Sequence, residues 1–153
     1  MYSVVLFTHS WLRYLLLGFG IALLALCVRG LRLQGGSWTE KQERIHVLFT
    51  AILDVQFLLG LLLYLKLSPI TQTALANMGA AMKEPTLRFF GVEHIVTMLI
   101  AVIVAHVGRA RSKRKQGKAR FKSVLITQAV WLVLTLAAIP WPGLDVGRPY
   151  FRF

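Results

Sequence analysis

Residues 4–28 read VVLFTHSWLRYLLLGFGIALLALCV, an apolar run interrupted by one histidine and one arginine. As a helix this run is about 37 Å long, enough to cross a hydrocarbon core of roughly 30 Å. Since the backbone finds no water in that core, the run is predicted to be a membrane-spanning helix. It lacks a basic start and a small-residue cleavage site, which argues against a signal peptide.

Three further apolar runs follow, over residues 45–65, 89–107 and 124–141. The chain is 56% hydrophobic and 16% charged, too apolar for an ordinary soluble domain. We therefore predict an all-α membrane protein, with residues 1–153 forming a single up-down-up-down bundle of four transmembrane helices. Apolar residues at roughly helical spacing over 70–82 predict a short interfacial helix on the outer surface.

The connections between the runs carry recognisable breaks and caps. Gly35 and Gly36 are predicted to break the chain after the first span, and Ser37-Trp38-Thr39-Glu40 predicts a capping box for the second. Pro85 is expected to end the interfacial helix, with Thr86 capping the third span. Residues 140–143 (PWPG) are predicted to close the fourth span and release an outward tail over 144–153.

The net charge of +12 is unevenly placed. The segments 29–44 and 109–122 hold twelve of the eighteen Lys and Arg. The positive-inside rule then predicts a membrane protein with these segments in the cytoplasm and both termini outside. No aromatic residue interleaves the charges over 109–120, which favours contact with anionic lipids over nucleic acid. The single cysteine, Cys27, excludes an intrachain disulfide.

All four histidines lie within or at the ends of apolar runs. Histidine is costly in lipid, so it tends to be kept there for a ligand, a proton or a substrate. His9 and His94 begin parallel helices and are predicted to lie at similar shallow depth near the outer side. His46 and His106 form a weaker pair near the cytoplasmic side, and ligation by them is expected to be less favoured.

Helical geometry at about 100° per residue favours the outer pair. Arg13 falls on the side of His9, and Gly20 returns nearly over it, while Ala101 and Ala105 follow His94. Small residues along both histidine faces leave room for a flat macrocycle, and Arg13 is placed to meet an acidic group from it. We therefore predict one haem b with two axial histidines. A second haem at the inner pair is less supported, because His106 points about 120° away from His94.

Other interpretations of these residues remain open. His9 can hydrogen-bond a carbonyl at a helix start, and His94 can pair with a carboxylate. Gly20 and the two alanines serve equally well in plain helix packing. These alternatives describe a bundle that needs no cofactor.

Three charged groups also fall inside the predicted spans: Arg13, Asp54 and Glu93. An unpaired charge is costly there, so we expect Arg13 to be held by Glu93, by Asp54 or by a haem propionate. One interpretation is a bridge that locks the bundle. The other is a polar pocket beside the cofactor, in which these groups and Gln56 bind a quinone head group or pass protons to it.

Three stretches carry a resemblance to a known family: 8–14 (THSWLRY), 64–69 (YLKLSP) and 87–94 (LRFFGVEH). Over nearly the whole chain the protein resembles small bacterial four-helix membrane proteins labelled cytochrome b-like. The resemblance implies haem b, an electron-transfer setting in a bacterial inner membrane and His9 with His94 as ligands. Relatives often carry His-x-Gln in the second helix where this chain has Asp54-Val55-Gln56, which puts ligation there in doubt.

A weaker similarity is to the HemJ-type protoporphyrinogen oxidases, which are also small four-helix proteins with a haem histidine in the first helix. Their arginine-aromatic-aromatic-Asn-Glu stretch is similar to residues 88–93 (RFFGVE). There the stretch opens the last helix, whereas here it opens the third, so helix order argues against close kinship.

Two classes of function follow, since the chain has no P-loop, dinucleotide fingerprint, Cys-based metal site or nucleophile elbow. The first is a haem b electron-transfer subunit of a larger membrane redox complex, rather than a stand-alone catalyst. The alternative is a cofactor-free accessory subunit that stabilises such a complex or binds lipid. A visible absorption spectrum separates the two.

Overall fold

A computed structural model of the chain describes residues 1–33 and 36–150. In this part of the chain the regular structure is entirely helical, with two short π-helical segments inside longer helices. The helices are α1 (Tyr2–Arg32), α2 (Glu40–Leu62), α3 (Pro69–Ala76), α4 (Met78–Ala81), α5 (Pro85–Arg88), α6 (His94–Ser112) and α7 (Gly117–Ala138). The first π segment (Leu63–Leu67) continues α2, and the second (Phe89–Glu93) joins α5 to α6.

Four continuous helices are long and apolar enough to cross a membrane: Tyr2–Arg32, Glu40–Leu67, Pro85–Ser112 and Gly117–Ala138. The predicted all-α bundle of four spans is therefore confirmed, and the chain is a multi-pass membrane protein. The first three helices extend beyond both ends of the predicted runs, and five of the six extensions contain lysine or arginine, which are good helix formers. The fourth stops at Ala138, since Ile139 precedes Pro140 and takes an extended conformation.

The four spans pack as a square. α1 lies against α2 and α7, and α6 lies against α7 and more loosely against α2, so α1 and α6 are diagonal neighbours. The core between them is apolar, with Leu23, Cys27, Phe49 and Trp131 almost wholly buried. The ring centroids of Phe49 and Trp131 lie 4.7 Å apart, edge to face.

The bundle has two chemically different ends. The basic end carries the segment between α1 and α2 and the turn between α6 and α7. There Thr39 caps α2 together with the Gln42 side chain, so the capping box lies two residues later than predicted. The predicted break at Gly35, like the last three residues of the tail, lies outside the described residues.

The terminal end carries Met1, the segment after α7 and the connection from α2 to α6. The predicted interfacial helix is present there as α3 and α4, but α3 buries Thr71 and Ala74 against the bundle instead of lying free. Pro85 begins α5 instead of ending a helix, and its cap is Glu84, not Thr86. Pro85 begins the helix because proline suits the first helical position, and Glu84 caps it because a carboxylate one residue earlier can accept the free N–H groups.

Candidate functional site

A cavity of about 160 Å³ lies between the four spans at the terminal end. Along α1 it is lined from Tyr2 to Leu16, a length of about 21 Å at the helical rise. Its floor is apolar, with Leu16, Leu53 and Met98 among the lining residues. Its polar groups include His9, Arg13, Gln56, Tyr64, His94 and Arg148. The two outer histidines predicted from the sequence therefore line one cavity, from diagonally opposite helices.

The imidazole of His94 is fixed from behind by the end of α7. Its Nδ1 lies 2.8 Å from the carbonyl oxygen of Ala138. That carbonyl is available because α7 ends at Ala138, and the carbonyls of the last helical turn have no intrahelical donor. Nδ1 then carries the hydrogen and donates it, so Nε2 is the nitrogen with a free lone pair.

The imidazole of His9 lies against α2. The side-chain nitrogen of Gln56 is 3.1 Å from the carbonyl oxygen of His9 and 3.3 Å from its Nε2. The other ring nitrogen, Nδ1, is buried and has no hydrogen-bond partner within the described residues. A Cβ at Gly60 would lie 3.0 Å from His9 Cε1, so the ring rests where α2 has no side chain.

Two guanidinium groups line the part of the cavity beside the segment after α7 (Arg148 and Pro149), which we call the cavity mouth. Arg13 donates to the hydroxyl of Tyr14 at 2.9 Å and, at 3.4 Å, to the carbonyl oxygen of Tyr150. Arg148 lies over the ring of Phe90, 5.0 Å from its centroid. Arg148 is absent from the predicted site residues, because residues 144–153 are predicted only as an outward tail.

The carboxylates predicted to hold Arg13 have other partners. Glu93 accepts from Arg88 at 2.7 Å. Asp54 lies 2.7 Å from Nε2 of His106 on the outside of the bundle, where about half of each side chain is exposed. Neither carboxylate lines the cavity. Of the predicted polar pocket, the structure brings together Arg13 and Gln56 but neither Asp54 nor Glu93.

Gly20 belongs to helix packing and not to the cavity. A Cβ there would lie 2.4 Å from the indole of Trp131, so the glycine lets α1 approach α7 closely. Gly20 does return to the side of His9, but it lies one turn below Leu16, where the cavity ends. Of the two alanines that follow His94, Ala101 lines the cavity and Ala105 does not.

The inner histidines are not brought together. His46 is buried at the basic end with its ring centroid 5.9 Å from that of Trp38. His106 makes its contact with Asp54 on the outer surface of the bundle. The structure therefore offers no shared site for a second haem between these two residues.

The donor set of the cavity fits a haem iron better than a bare metal ion. Within residues 1–33 and 36–150, no group of three or more His, Cys, Asp or Glu is arranged to hold a metal. Axial ligation of a haem uses one or two side chains, and the cavity presents two imidazoles with the tautomer of one fixed by a carbonyl. Its volume is smaller than the pockets of large ligands, which span about 300–1,000 Å³, so a macrocycle requires floor side chains to move.

The fold and cavity define a four-helix multi-pass membrane protein with a histidine-lined site at one end of the bundle. The chain gives no significant match to a protein-family model, to a curated protein or to a solved structure. The resemblance to cytochrome b-like proteins therefore stays a prediction.

Proposed function

We propose that this protein binds one haem b through His9 and His94 and acts in electron transfer as a subunit of a larger membrane redox complex. The observation that carries the proposal is that both imidazoles line one cavity, with Nδ1 of His94 held by the Ala138 carbonyl. A carbonyl at one nitrogen of a histidine is the usual support of a metal ligand at the other. Haem, when bound, supplies one-electron chemistry that no side chain of this cavity provides.

The surrounding residues have separate roles in this proposal. Gln56 holds the backbone of α1 at His9 and keeps that turn fixed against α2. Leu16, Leu53 and Met98 form an apolar floor that excludes water from the site. The ring of Phe90, with its centroid 6.2 Å from that of His94, limits how far that imidazole can turn.

Membership of a larger complex is supported by the pair of Asp54 and His106. The two side chains are 49% and 45% exposed on a surface otherwise rich in Leu, Ile and Val. Polar groups that face lipid are costly. A neighbouring subunit that packs over this surface would shield the pair from lipid.

A quinone head group is the second candidate ligand, and the cavity volume favours it. Apolar cavities of about 150 Å³ hold a single benzene-sized ring without rearrangement. Thr135 lines the same cavity, and its hydroxyl has no hydrogen-bond partner within the described residues, so it can donate to a quinone carbonyl. The apolar lining toward Leu53 would accept part of an isoprenoid tail.

The visible spectrum of the purified protein tests the proposal. We expect a low-spin reduced haem spectrum in the wild type and in the control His106→Ala, because His106 lies outside the cavity. His9→Ala and His94→Ala should each lose it or shift it to a high-spin form. Thermal unfolding of each variant shows whether a lost spectrum reflects a lost ligand or a lost fold.

Two outcomes contradict haem binding. One is a wild type that carries no haem after expression with added haem precursor and takes up none from a hemin titration. The other is a spectrum unchanged in both ligand variants. Organic extraction of the same samples identifies a bound quinone, and a folded protein with neither ligand leaves the accessory-subunit alternative.

The proposed orientation places the basic end in the cytoplasm of a bacterial inner membrane, in contact with anionic lipids. We expect Asp145→Cys, but not Lys118→Cys, to react with an impermeant maleimide added to intact cells. Both positions are exposed, and the native Cys27 is buried, so it gives no background. Gly117 and Gly143 are unsuitable sites, because their φ angles of +51° and +94° strain other residues. The reverse labelling pattern would invert the orientation.

A further inference from the structure

Among the residues that the structure describes, the side-chain carboxylates of this chain make no ion pair with the two guanidiniums of the cavity mouth, Arg13 and Arg148. All six lie within the described residues. Four make an ion pair or a contact with histidine, one caps α5, and none lies within 4 Å of a nitrogen of Arg13 or Arg148. The six carboxylates are those of Glu40, Glu43, Asp54, Glu84, Glu93 and Asp145. The two cavity guanidiniums therefore have no side-chain carboxylate to neutralise them.

Arg148 reaches the cavity because the segment after α7 folds back onto the bundle. The backbone N–H of Arg148 donates to the carbonyl of Pro140 at 3.0 Å, and that of Gly147 donates to Leu144 at 2.8 Å. Further along, the Tyr150 carbonyl accepts the hydroxyl of Tyr14 at 2.5 Å. The first two contacts fold the segment back on itself, and the third ties it to α1 beside Arg13.

The two guanidiniums meet the cavity from different parts of the chain. Nε of Arg13 is buried and has no hydrogen-bond partner within the described residues. Arginine keeps its charge in such surroundings, so its field must be compensated by an anion or by water. Toward its floor the cavity is mostly apolar, with Leu16 and Leu53 among the lining residues.

We propose that Arg13 and Arg148 form an anion site at the cavity mouth, which holds the acidic groups of an amphipathic ligand whose apolar body fills the cavity. The site rests on the proposed function, since it occupies the same cavity, and it adds the segment after α7 to the binding machinery. Guanidinium groups match carboxylates and phosphates equally well. The acidic groups belong either to the ligand in the cavity or to the head group of an anionic lipid.

Binding of protoporphyrin IX and of its dimethyl ester tests this site. The metal-free porphyrin needs no axial histidine, and the ester lacks the two carboxylates while keeping the ring. In neutral detergent we expect the wild type to bind the acid about tenfold more tightly than the ester, measured by porphyrin fluorescence. The difference should disappear in Arg13→Gln with Arg148→Gln. It should persist in Lys83→Gln, an exposed cation at the same end that does not line the cavity.

A second arm separates the two sources of the anion. Binding of the acid is compared in micelles that contain phosphatidylglycerol and in micelles of phosphatidylcholine. If lipid phosphate occupies the arginines, phosphatidylglycerol should weaken binding of the acid. This effect should appear only in proteins that keep both Arg13 and Arg148. An acid–ester difference or a phosphatidylglycerol effect that depends on the arginines supports the site. Equal binding of acid and ester, with no lipid effect that depends on the arginines, overturns it.

Failure of the anion site and failure of haem ligation by the two histidines would give different results. His9→Ala and His94→Ala should leave the acid–ester difference intact, because neither removes a guanidinium. The arginine variants should leave a low-spin spectrum in whatever haem remains bound. Loss of the spectrum in the histidine variants, with porphyrin binding indifferent to the arginines, would retain haem ligation and remove the anion site.

Discussion

Both ends of the bundle contain arginine and histidine, but the arginines of the basic end pair with a carboxylate and, within the described residues, those at the cavity do not. At the basic end, Glu43 accepts from Arg109 at 2.8 Å, from Arg120, and from the indole N–H of Trp38 at 3.1 Å. The Arg120 guanidinium also lies 4.6 Å from the Trp38 ring. Three elements are thereby joined through one carboxylate, and the cluster closes on itself.

At the terminal end, two arginines and two histidines surround a cavity and have no carboxylate among their described contacts. This difference indicates which cations of a strongly basic chain hold the helices together and which can bind a ligand. Where an internal acid neutralises the cations, they hold helices together. Where the acids are committed elsewhere, the cations are available to a ligand.

Removal of Glu43 should give the largest loss of stability among these variants. Glu43→Gln leaves Arg109 and Arg120 without an anion, although only 14% and 17% of their side chains are exposed. We expect a loss of about 3 kcal/mol in detergent, measured by chemical unfolding. Adding Arg120→Gln should recover part of it, because fewer orphaned charges remain. Glu40→Gln is the control, since its pair with Arg44 is well exposed and contributes less than about 1 kcal/mol. Equal losses in the two single variants would show that the cluster is solvated.

Much of the fold could be predicted from the sequence, because the bilayer dictates it. Apolar runs of sufficient length must be helices, and four of them leave few arrangements. The shared cavity of His9 and His94 also followed from their depth. The partners of Arg13 did not, since side-chain pairing depends on which faces meet after the helices pack.

Part of that miss was avoidable. Asp54 and Gln56 are two positions apart, about 200° around a helix, so both could not face one cavity. The π segment Phe89–Glu93 adds a residue to the turn before His94, so Glu93 does not take the position that a regular α-helix would give it. Arg148 had no such signal, because nothing in residues 144–150 indicates that this segment folds back onto α1.

Two glycines of α1 test whether Gly20 serves packing alone. Gly20→Ala places a Cβ 2.4 Å from the Trp131 indole, so we expect a loss of about 1–3 kcal/mol with an unchanged ligand spectrum. Gly18→Ala meets nothing within 4 Å and should be neutral or slightly stabilising, since alanine is the better helix former. A shifted spectrum in Gly20→Ala at preserved stability would return that residue to the cavity.

Gly60 provides the matching test inside the cavity. A Cβ there would lie 3.0 Å from His9 Cε1, so Gly60→Ala should displace the imidazole with little cost in stability. We expect a shifted low-spin spectrum or weaker haem retention, and a thermal midpoint within a few degrees of the wild type. Gly20→Ala should thus lower stability and leave the spectrum unchanged, whereas Gly60→Ala should change the spectrum and leave stability nearly unchanged. An unperturbed spectrum in Gly60→Ala would mean that His9 is not a ligand.

The smallest expected effect concerns Glu84, an acid at the terminal end that does not line the cavity. Glu84 caps α5, with Oε2 accepting the N–H of Leu87 at 2.5 Å, and this hydrogen bond holds the pKa of Glu84 below its ordinary value. A depressed pKa means that the cap stabilises the fold above the ordinary pKa of glutamate and is lost as the pH falls through the lowered one. The thermal midpoint of Glu84→Gln should therefore lie slightly below that of the wild type at neutral pH, and the two should converge on acidification. Porphyrin binding should be unaffected at neutral pH, because the capping carboxylate does not neutralise the mouth. A midpoint difference that is independent of pH would show that the amide caps as well as the carboxylate. Tighter binding of the acid porphyrin in Glu84→Gln would show instead that Glu84 competes for the arginines, and the contrast between the two ends would weaken accordingly.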